Sequence, residues 1–176
     1  MTRACGDCTL CCKLVPVKEL KKPAGERCVH QRVTGCRIYA RRPMSCRLWN
    51  CRWLTNVGTH ELSRPDRAHY VIDLAEDFVM ATPPEGDPFA VPVIQVWVDP
   101  KHPHAHRDPA LRRYLDSQGR AAIIRYSSSK AFMLAPPSVS SDRQWHEQNA
   151  DSVTEEEHAR HARELGIVKT AVMGEQ

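Results

Sequence analysis

The stretch that decides how this chain folds is Cys5-Gly6-Asp7-Cys8-Thr9-Leu10-Cys11-Cys12. Two residues between successive cysteines form a tight turn that aims their sulfurs at one point. Cys5, Cys8 and Cys11 can therefore surround a single compact centre. Because Cys11 and Cys12 are adjacent, their side chains do not easily reach the same point, and we expect one of them to ligate while the other points elsewhere.

All eight cysteines of the 176-residue chain lie within its first 51 residues, and we expect them to bind metal. The candidate ligands are Cys5, Cys8, Cys11, Cys12, Cys28, Cys36, Cys46 and Cys51. A C-x2-C-x2-C run supplies three corners of a 4Fe–4S cluster in bacterial ferredoxins, and a distant cysteine completes it. Here that fourth ligand would be Cys46 or Cys51. Eight thiols also allow two four-cysteine sites, or one cluster with further structural or redox-active thiols.

Zinc is the alternative metal. Zinc modules usually pair two C-x2–4-C knuckles across a longer loop. The chain has no second knuckle of that kind, because Cys28 and Cys36, like Cys46 and Cys51, are too far apart in sequence. The spacing therefore favours an iron–sulfur cluster, most simply 4Fe–4S, over Zn²⁺.

The rest of the sequence indicates the cellular compartment of the protein. No segment has the roughly 20 apolar residues that span a bilayer, and the sequence begins without the apolar run of a secretory signal. We therefore expect a cytoplasmic protein with no membrane contact. Thiols stay reduced in the cytoplasm, where a cysteine pattern favours metal binding or catalysis over disulfides.

Charge is distributed unevenly along the chain. Residues 1–67 hold 14 Lys and Arg against 5 Asp and Glu, whereas the rest holds 11 against 16. Metal-bound thiolates carry surplus negative charge, and the interleaved arginines are suited to offset it at short range. Aromatic residues suited to base stacking are few in this region, so nucleic acid is not the expected partner.

A second block reinforces the first. Residues 35–51 read GCRIYARRPMSCRLWNC. Together with residues 5–12 this block resembles the YkgJ-type CxxCxxCC cysteine-cluster family, described as zinc- or iron-chelating. The resemblance covers roughly residues 4–54 and implies metal chelation. Some flagellin lysine methylases carry a similar cysteine block, but residues 69–176 offer no basis for transferring that activity.

The resemblance also suggests roles for two arginines that flank Cys46. Arg42 and Arg47 are expected to donate hydrogen bonds to cluster sulfurs or ligand thiolates, which would raise a cluster's reduction potential. Surface salt bridges are the alternative for both.

The patterning predicts an α+β fold in which an irregular, metal-stabilised cysteine segment packs on a small, mostly antiparallel sheet with two or three helices. Residues 1–65 form the metal-binding region, with short helices near 17–22 and 38–42. Residues 66–176 form the α+β region, with a C-terminal helix at 154–165. Five strands are predicted at 70–74, 78–81, 91–98, 121–126 and 131–135, the first two joined by a turn at 75–77. Asp108 and Pro109 are expected to start a helix that Gly119 ends.

A histidine-rich loop is a weaker, second metal candidate. His102, His104 and His106 alternate, so in an extended loop they point to one side, and imidazole binds several transition metals. The carboxylates of Asp99 and Asp108 flank the loop. The alternative is a solvated loop without a ligand.

The expected function is metal binding through an iron–sulfur cluster, serving electron transfer, redox sensing or metal and cluster handling with a redox or cluster-assembly partner. One alternative is a zinc-stabilised interaction module without redox chemistry, and another is a cluster-assisted enzyme of unknown substrate. No phosphate-binding glycine loop or dinucleotide fingerprint is present. Catalysis and oligomeric state stay open at this point.

Overall fold

A five-stranded sheet forms the centre of the molecule. The computed structural model describes residues 3–55, 57–81, 87 and 89–150. The strands lie in the order β1-β2-β3-β4-β5, and neighbours are antiparallel except for the parallel pair β2–β3. Their bounds are β1 Tyr70–Ala81, β2 Phe89–Val98, β3 Ala121–Arg125, β4 Ala131–Ala135 and β5 His146–Ala150. The predicted α+β class with a mostly antiparallel sheet is confirmed.

Most helices are short and belong to the cysteine segment or the connection to the sheet. The α-helices are α1 Leu10–Leu14, α2 Met44–Leu48, α3 Arg52–Thr55, α4 Pro65–Ala68 and α5 Pro109–Ser117. Single 3₁₀ turns lie at Lys18–Leu20, Tyr39–Arg41 and Ala105–Arg107. No helix in the described part of the chain is both long and apolar enough to cross a membrane.

Helix α5 lies in the crossover that makes β2 and β3 parallel. The Asp108 carboxylate accepts a hydrogen bond from the Ala110 amide, and Pro109 occupies the first turn, as the sequence predicts. Its apolar face, with Leu111, Tyr114 and Leu115, is buried. Together with β2 and β3 this face forms the larger core of the molecule.

The two faces of the sheet meet different partners, because successive strand residues point to opposite sides. Tyr70 and Ile72 of β1 belong to the core beneath α5. Val71, between them, packs on the other face with Trp97, Leu10 and other residues of the cysteine segment. Period-two alternation therefore places α5 on one face of the sheet and the cysteine segment on the other.

The cysteine segment is attached to the sheet by apolar contacts and by polar ones. Leu14 is 1% exposed and packs with Val71 and Trp97. The Trp49 indole donates to the Asp73 carboxylate at 3.0 Å. This docking sets the position of the thiols relative to β1 and β2.

The structure departs from the predicted fold in one turn and adds elements that were not predicted. The turn predicted at residues 75–77 is wrong, because β1 runs through it as one strand whose register with β2 shifts between Asp73 and Asp77. The polar strand β5 was not predicted, and α1, α2 and α3 lie in the segment read as mostly irregular. The helix predicted at 154–165 lies outside the described residues.

Candidate metal centre

The eight cysteines are all free thiols, and none is paired in a disulfide. Cys5 is exposed and the other seven are partly buried. Two short helices position three of them, since Cys11 and Cys12 lie on α1 and Cys46 lies on α2. The others lie on turns and loops around these helices.

Four thiols form what we call the Cys51 group, comprising Cys5, Cys8, Cys11 and Cys51. Burial raises the pKa of Cys51 to about 11, with a smaller contribution from the neighbouring thiols of Cys5 and Cys8. Cys8 and Cys51 also act on Cys11 and raise its pKa. Three of the four, Cys8, Cys11 and Cys51, pack against the small core beneath the cysteine segment. The group therefore joins the start of the chain to a cysteine some 40 residues later.

Backbone N–H groups lie near two of these sulfurs. Burial raises the pKa of Cys8, and the nearby amides of Leu10 and Asp66 partly oppose this rise. The amides of Leu54 and Trp53 act likewise on Cys51, and the Leu54 amide donates to the Cys51 carbonyl at 2.9 Å. Amide donors stabilise a thiolate and fix its direction, as hydrogen bonds around metal ligands commonly do.

A further set of thiols forms what we call the Cys12 group, comprising Cys12, Cys28 and Cys46. Burial raises the pKa of Cys46, and the thiols of Cys12 and Cys28 add to the effect. The amide of Cys28 donates to the carbonyl of Cys12 at 2.9 Å, which holds the two segments together. Cys36 pairs through its backbone with Gln31 on the loop that follows Cys28.

The two groups meet on α1, where the Cys11 and Cys12 thiols are neighbours. Their interaction raises the pKa of Cys11 and lowers that of Cys12 to about 7. The electrostatic neighbours of the two thiols differ, because Cys8 and Cys51 act on Cys11 while Cys12 acts on Cys46. Cys12 is thus the thiol most easily deprotonated at neutral pH.

Cations adjoin the Cys12 group. Lys22 is 7% exposed, and its ammonium donates to the carbonyls of Lys13, Val15 and Pro23 at 3.2, 2.6 and 3.1 Å. Burial lowers the pKa of Lys22, whereas the thiols of Cys28 and Cys12 raise it. A buried ammonium beside several thiols offsets the charge that they carry as thiolates.

The two predicted arginines lie in different surroundings. Arg42 stacks on the Tyr39 ring at 3.9 Å, and its charge lowers the pKa of Cys12. Its Nε is buried without a hydrogen-bond partner among the described residues. Arg47 is exposed on α2. A buried, unsatisfied N–H beside thiols is suited to donate to a cluster sulfur, and Arg42 alone of the pair offers one.

The structure separates the two candidates for the fourth ligand beside Cys5, Cys8 and Cys11. Cys51 acts on Cys8 and Cys11, whereas the neighbours of Cys46 are Cys12 and Cys28. Spacing along the chain did not distinguish them, because both follow the first block by similar distances. Cys46 lies on α2, whereas Cys51 lies just before α3.

The three predicted histidines occupy different surroundings. His106 is 3% exposed, with Nδ1 at 2.8 Å from the Pro103 carbonyl, whereas His104 is exposed. His102 instead joins His69 and Asp99, and the ligand atoms of these three lie within 4.8 Å of one another. Among the described residues this is the one set of three ligands so close together, and no three cysteine sulfurs form such a set.

Sequence reasoning did not find His69. The signal for it is the hairpin register, because β1 begins at Tyr70 opposite Val98 and so brings the preceding His69 next to Asp99. Pairing the start of β1 with the end of β2 would have identified this contact from the sequence.

Comparisons of the chain with protein-family models, with curated protein sequences and with solved structures found no match.

Proposed function

We propose that this chain is a metal-binding protein that holds an iron–sulfur cluster on Cys5, Cys8, Cys11 and Cys51 and uses it for electron transfer or redox sensing. The observation that carries the proposal is the gathering of these four reduced thiols, two of which have backbone N–H groups nearby. Four cysteines are the usual complement of one 4Fe–4S cluster. We also infer membership of the YkgJ-type cysteine-cluster family, which the two sequence blocks support.

Sulfur spacing favours a cluster over a single zinc ion. Zn–S bonds of about 2.3 Å in a tetrahedron bring the four sulfurs to within roughly 4 Å of each other. Among the described cysteines no three sulfurs lie within 4.8 Å of one another. In a cubane cluster the cysteines bind separate iron atoms at its corners, so a wider spacing is expected.

The Cys12 group supports a second thiolate centre in the same segment. Cys12 and Cys28 both act on Cys46, and Cys36 is the fourth thiol, on the loop that follows Cys28. Lys22 and Arg42 supply cations there. Arg42, with its unsatisfied Nε, would donate to a sulfur of this centre and raise its reduction potential.

The place of the thiols suits exchange of electrons with a partner protein. Cys5 is exposed, so a cluster in the Cys51 group would lie near the surface. Large apolar side chains are exposed in the same segment: Val29, Val33, Tyr39, Met44 and Leu48. Exposed apolar residues surrounded by basic ones are suited to contact an acidic redox or cluster-assembly protein. The cytoplasm, where thiols remain reduced, is the compartment we propose.

Metal analysis of anaerobically purified protein tests the proposal. We expect a brown protein that contains iron and acid-labile sulfide, with broad visible absorption that dithionite bleaches. A colourless protein with stoichiometric zinc would instead indicate a zinc-stabilised interaction module.

A matched pair of substitutions tests the assignment of ligands. Cys51→Ser should remove the cluster of the Cys51 group, whereas Cys46→Ser should leave that cluster and affect only metal in the Cys12 group. Iron and sulfide per chain, together with electron paramagnetic resonance of the reduced protein, distinguish the two results. Equal loss in both variants would contradict the separation into two groups, and a full cluster in Cys51→Ser would contradict the ligand set.

A further inference from the structure

We propose that His69, Asp99 and His102 form a separate binding site for one divalent transition-metal ion, independent of the cysteines. Their ligand atoms lie within 4.8 Å of one another. Two imidazoles and a carboxylate suit Fe²⁺, Zn²⁺, Co²⁺ or Ni²⁺, and as only three protein ligands they leave coordination positions open. This site does not depend on the proposed cluster, and each can fail without the other.

The backbone brings the three residues together. The Asp99 amide donates to the His69 carbonyl at 2.9 Å, which continues the β1–β2 ladder by one residue. The His102 amide donates to the Asp99 carbonyl at 2.8 Å in the turn that follows β2. Main-chain bonds at the end of the sheet therefore position all three ligands.

His69 adopts a backbone conformation that a histidine rarely takes. Its φ is 62°, in the left-handed region, at the end of α4. Residues held there by the surrounding structure are disfavoured and are concentrated at functional sites. This conformation presents the His69 ring to His102, with ring centroids 3.5 Å apart and planes 6° from parallel.

Binding requires a small movement of one ring. Parallel rings cannot both direct a nitrogen lone pair at the same ion, so one must tilt. His102 is exposed, and its side chain has room to rotate about its own bonds. His69 is partly buried and would remain the fixed ligand.

Lys13 holds the third ligand in place. Its ammonium lies 2.6 and 2.5 Å from the two oxygens of Asp99, whose Oδ1 also accepts from the Lys101 amide at 3.0 Å. Among the described residues Oδ2 accepts from Lys13 alone and keeps a further lone pair, and metal-bound carboxylates are commonly oriented by such donors. The competing interpretation is a Lys13–Asp99 ion pair that needs no metal.

The residues around the proposed site indicate which further ligand the metal ion would take. The histidines border an open groove of about 630 Å³ whose lining includes Arg67, Lys101 and Arg107. These cations line the same groove as His69 and His102. They favour an anion, such as a carboxylate or phosphate, as the additional ligand of the metal.

Cobalt titration of the anaerobically purified chain tests the site. Co²⁺ bound to imidazole and carboxylate gives weak d–d absorption, whereas thiolate ligation adds an intense charge-transfer band. We expect one equivalent of Co²⁺ to bind without the charge-transfer band. His102→Ala should weaken the affinity for this Co²⁺ by at least about tenfold, as loss of metal-site partners typically does. His69→Asn, which suits the left-handed backbone, should do the same.

The control is His104→Ala, an exposed histidine of the same loop that lies outside the group. It should bind cobalt as the unchanged chain does, and circular dichroism should confirm that all three variants fold. Unchanged binding in both His69→Asn and His102→Ala would overturn the site. A thiolate charge-transfer band on every equivalent of bound cobalt would overturn it as well. The iron and sulfide content of the protein tests the cysteine proposal separately.

Discussion

The cysteine segment and the sheet region are built from different kinds of contact. Leu111, Val96 and Ile124 in the sheet region are 0% exposed and belong to one continuous apolar core. In the cysteine segment Val29 is 82% exposed, Val33 86% and Leu48 72%. One region is thus held by apolar burial, and the other leaves large apolar side chains in solvent.

This difference shows where each region obtains its stability. The apolar core shared by the segment and the sheet has five buried residues, of which Leu10, Leu14 and Ala24 come from the segment. Helices of four or five residues are not stable by themselves. Segments of this kind usually need a disulfide or a metal, and the described cysteines are free thiols. Metal binding would supply the missing cross-link.

The largest expected effect comes from removing the metal, which should separate the two regions. Structural metal binding is worth about 10–16 kcal/mol in small zinc domains. We therefore expect a chelated, anaerobic sample to lose hydrogen-exchange protection across residues 5–55 while amides of β2 and β3 remain protected. Restoring iron and sulfide should restore protection. Loss of protection in both regions together would show that they fold as one unit.

A smaller effect is expected from truncating a leucine, and its size should depend on the region. Leu111→Ala removes a side chain that is 0% exposed, which typically costs about 2–5 kcal/mol of unfolding free energy. Leu48→Ala, the same change in the cysteine segment, should stay within about 0.5 kcal/mol because Leu48 is 72% exposed. Urea unfolding of the metal-loaded protein measures both changes in unfolding free energy. Equal changes for the two variants would contradict the difference in apolar burial between the two regions.

The smallest expected effect is an acid sensitivity of the sheet region at His106. Burial lowers the pKa of this histidine, partly opposed by its hydrogen bond to Pro103 and by Glu147, while Arg107 and Arg112 lower it further. The Nδ1–H donates to the Pro103 carbonyl, and Nε2 is buried without a hydrogen-bond partner among the described residues. The folded protein therefore favours the neutral ring.

The direction of the pH effect follows from this pKa. Below about pH 6.5 the unfolded chain binds a proton that the folded chain does not, so stability falls as pH drops toward the lower folded value. Replacing His106 by Phe should reduce the fall in stability between pH 7 and 5, measured by thermal unfolding. His104→Phe, on the exposed neighbour, should leave it unchanged. The same pH dependence in both variants would exclude His106 as its source.

Much of the fold could be predicted where the sequence carries its own periodicity. Helix α5 has an Asp108 cap, Pro109 in its first turn and an apolar face, and it forms as predicted. Strands β3 and β4 are short, mostly apolar runs, and they also form close to the predicted bounds. Local pattern and tertiary structure agree in these elements.

The errors arise where neighbouring strands override the local pattern. Residues 75–77, Ala-Glu-Asp, are polar enough to predict a turn, but pairing with β2 carries the strand through them with a shift in register. Strand β5 has no apolar alternation and forms by backbone pairing with β4. Neither outcome can be read from one segment alone, because both depend on a partner strand.

For the candidate metal centre, the sequence predicts which residues are candidate ligands but not which of them are neighbours. Cysteine spacing identified the eight thiols, whereas their division depends on how α1 directs Cys11 and Cys12 and on where α2 and α3 place Cys46 and Cys51. The contact of His69 with Asp99 likewise requires the β1–β2 register. Residue type thus predicts which side chains can bind metal, whereas long-range packing determines which of them lie close together.

The polar strand β5 also bears on how the protein behaves at high concentration. It is the last strand of the described sheet, five residues long, and it reads His-Glu-Gln-Asn-Ala. A long, flat, apolar border strand invites a strand from another molecule to add to it, which is a common start of aggregation. A short border rich in polar and charged side chains opposes such addition, so this end of the sheet should resist intermolecular growth.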